Sequence, residues 1–594
     1  MYTTSSAFFD AIWDAGVTHC FVNLGSDHPS FIDAMVKGQR EKRDKFPRII
    51  TCPNEMVAMS MADGYARLTN KPQCVIVHVD VGTQALAAAV HNASSGRAPV
   101  LVFAGLSPIT LDGEHRGSRT EHIHWLQDVP DQKQIVAQYC RYVGEVKTGA
   151  NVKQLVNRAL QFAASAPQGP AYLCGAREIM EAEIAPYELR QSDWAPVQSG
   201  GLPRGASREI AEALAGAQRP LVITGYGGRN HEFPGTLVRL ADAVPGLQVL
   251  DTGGSDMCFP ANHPGWTGTR YGVAEGIEKA DVILVVDCDV PWIPTRCKPS
   301  DDAVVFHVDV DPLKHLMPMA YVKARARFRA DAVQALEQII ESVVGLRGAS
   351  AAETLRNQQD TSRQTARVKQ EHEARLARIE QAAQPLPDDT FGAGHLCRQL
   401  RALCPPDTIW VVEAVSNAHW VLDNIQASLP GSLINCGAGG LGWSGGAALG
   451  IKLATDAEHG GQGQGQGQGR FVVQVVGDGT YMFSVPSSVY WISMRYRIPI
   501  LTIVLNNGGW NAPRHSYNLV HPDGLAQTAT NDEINIAFSP TPDYAGIAKA
   551  AACGQVFAGR VSDARELPGL LRSAIDFVKA GKSAVLDCAV VPGC

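Results

Sequence analysis

The chain has 594 residues, 45% of them hydrophobic, and a formal net charge of -7. This length exceeds what one hydrophobic core can organise, so we expect several domains, and the apolar content excludes a disordered chain. No Lys/Arg-rich run offers nucleic acid a positive stripe, and no apolar stretch reaches the ~20 residues that span a bilayer. We therefore expect no nucleic-acid or membrane partner and a cytoplasmic location.

The first part of the chain alternates amphipathic helices with short apolar strands. Strands are predicted at 18–24, 48–51, 74–78 and 100–104. This rhythm is typical of a parallel sheet and predicts a first α/β domain over residues 1–186. A stretch with Pro, Gln and Ser but no periodicity, at 187–204, predicts a linker.

The middle of the chain repeats the alternation, with strands predicted at 220–224, 247–250, 282–286 and 303–308. They predict a central α/β domain over residues 203–345. A Gly-rich turn at 225–228 follows the first of these strands but lacks a full GxGxxG, so it indicates a dinucleotide site only weakly. The polar stretch at 349–384 has a helical composition and favours a solvated connector over an interaction helix.

The last part has strands predicted at 408–412, 471–476, 500–505 and 583–591. They predict a third domain over residues 385–594 with the rhythm of the first. A Gly-Gln alternation at 460–469 cannot contribute to a core and predicts a flexible surface loop. The expected fold class is therefore α/β, with three doubly wound parallel-sheet domains.

Two polar turns follow apolar strands in this third domain. One is Gly477-Asp478-Gly479-Thr480, and the other begins with Asn506-Asn507. A carboxylate and an amide oxygen suit Mg²⁺, which prefers oxygen ligands and shares them with phosphates. Each turn alone is common in proteins that bind nothing.

Together the two turns resemble the motif of thiamine-diphosphate-dependent enzymes, in which GDG precedes NN by roughly 24 to 30 residues. The resemblance implies that Asp478 and Asn507 bind Mg²⁺ with their side chains and Gly509 with its carbonyl. It also implies that Gly479 and Thr480 contact the diphosphate of the cofactor.

The same family uses a glutamate that follows a strand in another domain. Here the predicted strand at 48–51 leads to Glu55, which opens a helix, and the run Ala62-Asp63-Gly64-Tyr65-Ala66-Arg67 also matches the family. A glutamate at a helix start ordinarily compensates the helix dipole. The resemblance instead implies that Glu55 is catalytic and forms a hydrogen bond with a pyrimidine nitrogen of thiamine diphosphate.

A glycine-rich run at 437–443 matches the position where the family supports the bent cofactor. The resemblance implies that Leu441 packs against the cofactor, that the Gly439 carbonyl accepts its amino group, and that Ser416 and Asn417 reach the diphosphate. Core packing is the alternative for Leu441. Since the family builds each site from two chains, the resemblance also implies a homodimer or homotetramer with a pyrimidine-binding, a central and a diphosphate-binding domain.

Within the family, Ser26 and His78 resemble active-site residues of benzoylformate decarboxylase. A serine can hydrogen-bond a substrate carboxylate, and a histidine can move protons near neutral pH. The alternatives are a turn residue for Ser26 and a structural strand-end histidine for His78. Asp27, His28 and His115 are further polar candidates.

The substrate class is left open by two departures from the family patterns. The segment 287–294 has no clear counterpart of a second active-site histidine, and 511–514 lacks the glutamate of pyruvate decarboxylases. We expect a lyase or carboligase acting on a 2-oxo acid or a 2-hydroxy carbonyl compound. The alternatives are a 2-hydroxyacyl-CoA lyase, an acetolactate synthase with FAD in its central domain, and an inactive scaffold. Whether the central domain binds FAD or instead ADP or CoA is also left open.

Overall fold

A computed structural model of the chain describes residues 1–346, 351–460 and 469–593, with backbone only for 351–359. It contains three six-stranded parallel sheets with helices packed against them, which confirms the predicted fold class. The predicted Gly-Gln loop lies almost entirely outside the described residues. In the part of the chain that is described, no helix is both long and apolar enough to cross a membrane.

The first sheet has the strand order β2-β1-β3-β4-β6-β5. Its strands are β1 (His19–Asn23), β2 (Arg48–Thr51), β3 (Gln73–Val77), β4 (Val100–Leu106), β5 (Tyr142–Val146) and β6 (Ala171–Ala176). Its helices are α1 (Thr4–Asp14), α2 (Pro29–Glu41), α3 (Glu55–Thr69), α4 (Val81–Ala85), α5 (Ala87–Ser95), α6 (Ile123–Leu126), α7 (Val152–Ala164) and α8 (Arg177–Glu181). The helices pack against both faces of the sheet, and an apolar core lies on each face.

The central sheet has the order β12-β11-β10-β7-β8-β9, so the strand order reverses between β7 and β10. Its strands are β7 (Pro220–Thr224), β8 (Gln248–Asp251), β9 (Trp266–Thr269), β10 (Val282–Val286), β11 (Val304–Asp309) and β12 (Ala326–Arg329). Its helices are α9 (Ala206–Gly216), α10 (Phe233–Ala243), α11 (Glu275–Lys279) and α12 (Ala332–Leu346). In open α/β sheets ligands bind outside the carboxyl ends of the strands at such a reversal.

The predicted solvated connector is one long helix, α13 (Ala351–Ala382). One of its faces is not solvated. Val368 and His372 are buried, and Leu376 and Ile379 pack against the core of the central domain. The expectation was therefore wrong for this face, because four apolar or aromatic side chains spaced three or four residues apart form a stripe within an otherwise polar sequence.

The third sheet has the order β14-β13-β15-β16-β18-β17, which is the order of the first. Its strands are β13 (Ile409–Glu413), β14 (Leu433–Asn435), β15 (Val472–Gly477), β16 (Leu501–Asn506), β17 (Phe557–Val561) and β18 (Ala584–Ala589). Its helices are α14 (Ala393–Leu403), α15 (Ala418–Ile425), α16 (Trp443–Glu458), α17 (Asp478–Phe483), α18 (Pro486–Tyr496), α19 (Asn511–Val520), α20 (Tyr544–Ala551) and α21 (Leu567–Lys579).

Helices α3 and α16 join the first and third domains by close backbone contact. A Cβ placed on Gly64 would lie 2.4 Å from the Ala447 carbonyl oxygen, and one on Gly450 would lie 2.0 Å from the Met61 carbonyl oxygen. One apolar core extends through both domains. Because α3 begins at Glu55 and α16 follows Leu441, this contact fixes the positions of two predicted site segments.

Candidate active site

A cavity of about 760 Å³ lies between the central and third domains. Its walls come from the loops that follow β7, β8, β10, β13, β14, β15 and β16, so it lies at the strand-order reversals of both sheets. All of the residues predicted for the metal and, apart from Glu55, for the cofactor line it: Ser416, Asn417, Gly439, Leu441, Asp478, Gly479, Thr480, Asn507 and Gly509.

The Asp478 carboxylate is held by backbone donors at the first turn of α17. Its Oδ1 accepts the Gly479 N–H at 2.7 Å, and its Oδ2 accepts the N–H groups of Gly508 and Gly509 at 2.9 and 3.0 Å. Burial raises the pKa of this carboxyl to about 6, although these N–H donors lower it. The side chain is therefore fixed in place, and a cation bound beside it would favour its ionised form.

The side-chain oxygen of Asn507 is buried and has no hydrogen-bond partner among the described residues. A buried acceptor without a partner is costly unless a ligand or water satisfies it. At Gly509 the neighbouring backbone bonds, from Trp510 N–H to Ile536 and from Phe538 N–H to Gly508, do not use the Gly509 carbonyl. A carboxylate, an amide oxygen and a carbonyl suit Mg²⁺, so the residues present fit the predicted metal.

The loop after β13 carries backbone strain at the cavity wall. Val415, a β-branched residue, has a φ of 45°, a region that such side chains rarely adopt. It directly precedes Ser416 and Asn417. Strain of this kind clusters at functional sites, and the torsion angle was not visible in the sequence.

Gly479 has a steric role that the sequence did not reveal. A Cβ at this position would lie 2.3 Å from the ring of Trp510, which also lines the cavity. The glycine therefore admits the indole ring against the Asp478 turn. Trp510 was not among the predicted site residues because nothing in the sequence links it to the Gly-Asp-Gly turn.

The glycine-rich turn before α16 is anchored by Glu413, at the end of β13. Its carboxylate accepts the backbone N–H groups at the start of that helix, from Gly442 at 3.0 Å, Trp443 at 3.3 Å and Ser444 at 2.8 Å. Burial raises the pKa of Glu413 to about 7, although these N–H donors lower it. The sequence interpretation missed this residue because a strand-end glutamate carries no motif.

Asn92 of α5 holds the same turn from the first domain. Its amide donates to the Gly440 carbonyl at 2.6 Å and accepts the Gly440 N–H at 3.0 Å. These two bonds and the Glu413 anchor present Gly439 and Leu441 to the cavity.

The other predicted residues, Ser26, Glu55 and His78, form a second group at the carboxyl end of the first sheet. They follow β1, β2 and β3, which are neighbours in that sheet. The Glu55 charge contributes to raising the pKa of His78, after the hydrogen bond and the charge of Asp27. None of the three is among the described residues that line the cavity. One chain thus holds the predicted site residues in two groups.

Polar side chains surround this second group. Asp27 is hydrogen-bonded to His78, and His28 lies beside Asp27, whereas His115 is exposed in a loop. The buried His124 places its Nε2 3.5 Å from the Ser26 hydroxyl. His124 was missed because it belongs to the short helix α6, whose contact with Ser26 arises only in the folded chain.

Models of the thiamine pyrophosphate enzymes match three segments of the chain. The N-terminal TPP binding domain matches residues 2–135, the central domain 207–339 and the C-terminal TPP binding domain 414–588. Together the matches cover well over half of the sequence and include both groups of predicted site residues.

Curated relatives align with the chain over most of its length. The chain is 25% identical to a benzoylformate decarboxylase of Pseudomonas aeruginosa, over 86% of this chain and 88% of the relative. It is 23% identical to 2-hydroxyacyl-CoA lyase 2 of Mus musculus, over 78% and 73%. A thiamine diphosphate-dependent 4-hydroxybenzoylformate decarboxylase of Rhodococcus jostii superposes with a TM-score of 0.75 at 20% identity, covering 99% of each chain, which shows the shared fold.

Proposed function

Because the chain belongs to the thiamine pyrophosphate enzyme family, we propose that it is a Mg²⁺-dependent lyase or carboligase that breaks or forms the C–C bond beside the carbonyl of a 2-oxo acid. The observation that carries the proposal is the cavity in which the fixed Asp478 carboxylate and the unpartnered Asn507 oxygen lie together. They offer a divalent cation two hard ligands at the carboxyl ends of neighbouring strands.

Thiamine diphosphate, when bound, supplies the electron sink that makes cleavage beside a carbonyl possible. The chain would position it: Asp478, Asn507 and Gly509 would hold the metal, while Ser416, Asn417, Gly479 and Thr480 would hold the diphosphate. Leu441 and Gly439 would support its rings. Glu55 would form a hydrogen bond with the pyrimidine and hold a proton at its carboxylate.

Ser26 and His78 are proposed to face the substrate. The Ser26 hydroxyl donates a hydrogen bond to the substrate carboxylate, and His78 transfers a proton to the reacting carbon or oxygen. The similarity to benzoylformate decarboxylase supports a 2-oxo acid substrate. Since Ser26, Glu55 and His78 lie outside the cavity of their own chain, we propose that the enzyme is at least a homodimer in which they reach the cavity of a second copy.

The test is turnover of a substrate panel with thiamine diphosphate and Mg²⁺. Pyruvate, benzoylformate, branched 2-oxo acids and 2-hydroxyacyl-CoA thioesters are supplied to the wild type, to Glu55→Gln and to the exposed control Glu41→Gln. We expect CO₂ release from at least one 2-oxo acid in the wild type and control and none in Glu55→Gln. Turnover of the thioesters alone would replace this function with that of an acyl-CoA lyase, and an active Glu55→Gln would remove Glu55 from the mechanism.

A further inference from the structure

We propose that the buried Asp27 carboxylate is a positioning residue that fixes the tautomer of His78 and keeps this histidine as the imidazolium ion that donates a proton to the substrate. The catalytic half of this inference rests on the proposed function. The structural half, a buried carboxylate–imidazolium pair, rests on the geometry of the first domain alone.

The two oxygens of Asp27 have separate partners. Oδ1 is hydrogen-bonded to Nδ1 of His78, and Oδ2 accepts the Val79 N–H at 3.0 Å. An ionised carboxylate only accepts hydrogen bonds, so the shared proton belongs to Nδ1 of His78. Asp27 is buried, whereas His78 is half-buried and keeps part of its side chain exposed.

Two glycines provide the space for this pair. A Cβ on Gly25 would lie 1.9 Å from Nδ1 of His78, and a Cβ on Gly105 would lie 1.6 Å from Oδ2 of Asp27. Any side chain at either position would displace the ring or the carboxylate. Backbone from the ends of two strands, β1 and β4, thus encloses the Asp27–His78 contact.

The charges that face His78 favour its protonated form. The hydrogen bond to Asp27 raises the pKa of His78; burial opposes the rise, and the Asp27 charge, Gln127 and Glu55 add to it. Burial raises the pKa of Asp27, but His28 and His78 hold the pKa of this carboxyl well below its usual range. Both shifts favour an ionised carboxylate beside an imidazolium ion.

His28 is less suited to neutralise Asp27. Its Nδ1 lies 3.1 Å from Oδ1 of Asp27, but the same nitrogen accepts the Gly25 N–H at 3.1 Å. The Nδ1 atom of His28 can donate to Asp27 or accept from Gly25, but it cannot do both at once. Within the described structure, the bond from His78 to Asp27 has no such competitor.

A second imidazole, that of His124, lies beside the loop that carries Ser26 and Asp27, and its pKa is shifted in the opposite direction to that of His78. Burial lowers the pKa of His124, and the nearby Arg177 lowers it further. The pKa values of His124 and His78 are therefore shifted in opposite directions. Two titratable groups whose pKa values are shifted in opposite directions commonly serve as separate acid and base, and here His78 is the acid.

The structural half is tested by NMR on the apo protein with isotope-labelled histidine, where the His78 resonance is assigned from its loss in His78→Gln. We expect the wild-type His78 to titrate above the ordinary ~6.5 and its neutral form to carry the proton on Nδ1. Asp27→Asn should lower this midpoint by about one pH unit or more, while Asp33→Asn, an exposed control on α2, should not move it. A wild-type midpoint at or below ~6.5, or a proton on Nε2 of the neutral ring, overturns the pair even where Asp27→Asn fails to fold.

The catalytic half is tested on the holoenzyme. In Asp27→Asn the alkaline limb of the kcat/KM profile should move to lower pH by the shift that NMR measures, with KM little changed. An unmoved limb despite a shifted His78 midpoint contradicts the proton-donor role. If no substrate of the panel is turned over, the proposed function fails, and the NMR result still decides whether the pair exists.

Discussion

Asp478 and Asn507 contribute oxygens of different kinds to the cavity, and this difference should appear on substitution. Three backbone N–H groups already bind the Asp478 carboxylate, whereas the Asn507 oxygen has no partner among the described residues. Asn507→Ala should therefore leave the thermal unfolding midpoint of the apo protein unchanged or raise it slightly. It should weaken Mg²⁺-dependent thiamine diphosphate binding by about 100-fold or more, as isothermal titration calorimetry would measure.

Asp478→Asn is the comparison for that experiment. An asparagine can accept through one oxygen only, and its NH₂ group would face a backbone donor. We therefore expect Asp478→Asn to lower both the apo unfolding midpoint and cofactor binding. Equal stability losses in the two variants would contradict the assignment of the unpartnered Asn507 oxygen to a ligand.

Glu413 should be structural, although it lines the cavity. Its carboxylate accepts three N–H groups at the start of α16. In Glu413→Gln one acceptor is replaced by a donor that opposes those N–H groups, so we expect a loss of about 1–3 kcal/mol in the free energy of unfolding. Urea denaturation would measure it against the exposed Glu41→Gln. No loss would mean that water replaces the carboxylate without cost.

The Asp27–His78 pair predicts a pH-dependent contribution to stability. The folded-state pKa of His78 lies above its unfolded value, so the contribution is complete below about 6.5 and is lost as the pH rises through the folded-state pKa. The free energy of unfolding of wild type minus that of Asp27→Asn should therefore decrease between about pH 6 and pH 9. A difference that is constant or grows with pH would contradict the charged pair.

Most strands with continuous apolar sequences were predicted, but the fully buried inner strand β6 and the edge strand β9 were missed. The missed edge strands β5, β12 and β17 have mixed, half-exposed residues, as in the alternation of β12 from Ala326 to Arg329. β14 spans only three residues. An edge strand has one neighbour and partial burial, so its pairing depends on the finished sheet more than on its own sequence.

The site was predictable where strand ends carry polar turns. Asp478 and Asn507 follow apolar strands that are neighbours in the sheet, so their proximity follows from parallel topology. Trp510, Glu413 and His124 were not predictable, because their contacts join distant segments and no short motif marks them. The domain boundaries and the roles of the site residues stay predictions.

The contact between α3 and α16 should be sensitive to a single methyl group. A Cβ on Gly450 would lie 2.0 Å from a backbone oxygen, which cannot move as a side chain can. Gly450→Ala should lower the free energy of unfolding by about 1–3 kcal/mol or more, despite the higher helix propensity of alanine. Gly569→Ala, in α21 with no atom within 4 Å of the new Cβ, should instead stabilise by about 0.5–1 kcal/mol. Similar unfolding midpoints for the two variants would show that the helices can separate at little cost.

Across the whole molecule, the predicted catalytic residues occupy two places. The residues predicted for the metal and the diphosphate lie between the central and third domains, and Ser26, Glu55 and His78 lie at the end of the first sheet. A symmetric dimer can bring each group against the other in its partner. Neither strand order nor motif spacing specifies a surface between two chains, so the sequence alone does not show whether such a dimer assembles the site.

This arrangement predicts that two inactive variants recover enzymatic activity when they are mixed. In a mixed dimer of Glu55→Gln and Asp478→Ala, one site would combine the intact Glu55 of one chain with the intact Asp478 of the other. After random subunit exchange, half of the dimers are mixed and half of their sites are intact, so we expect about a quarter of wild-type activity. A mixture of Glu55→Gln with His78→Gln is the control, since both changes damage the same group and every site keeps a defect. Recovery in neither mixture, with exchange verified by mass, would mean that each active site is built within one chain.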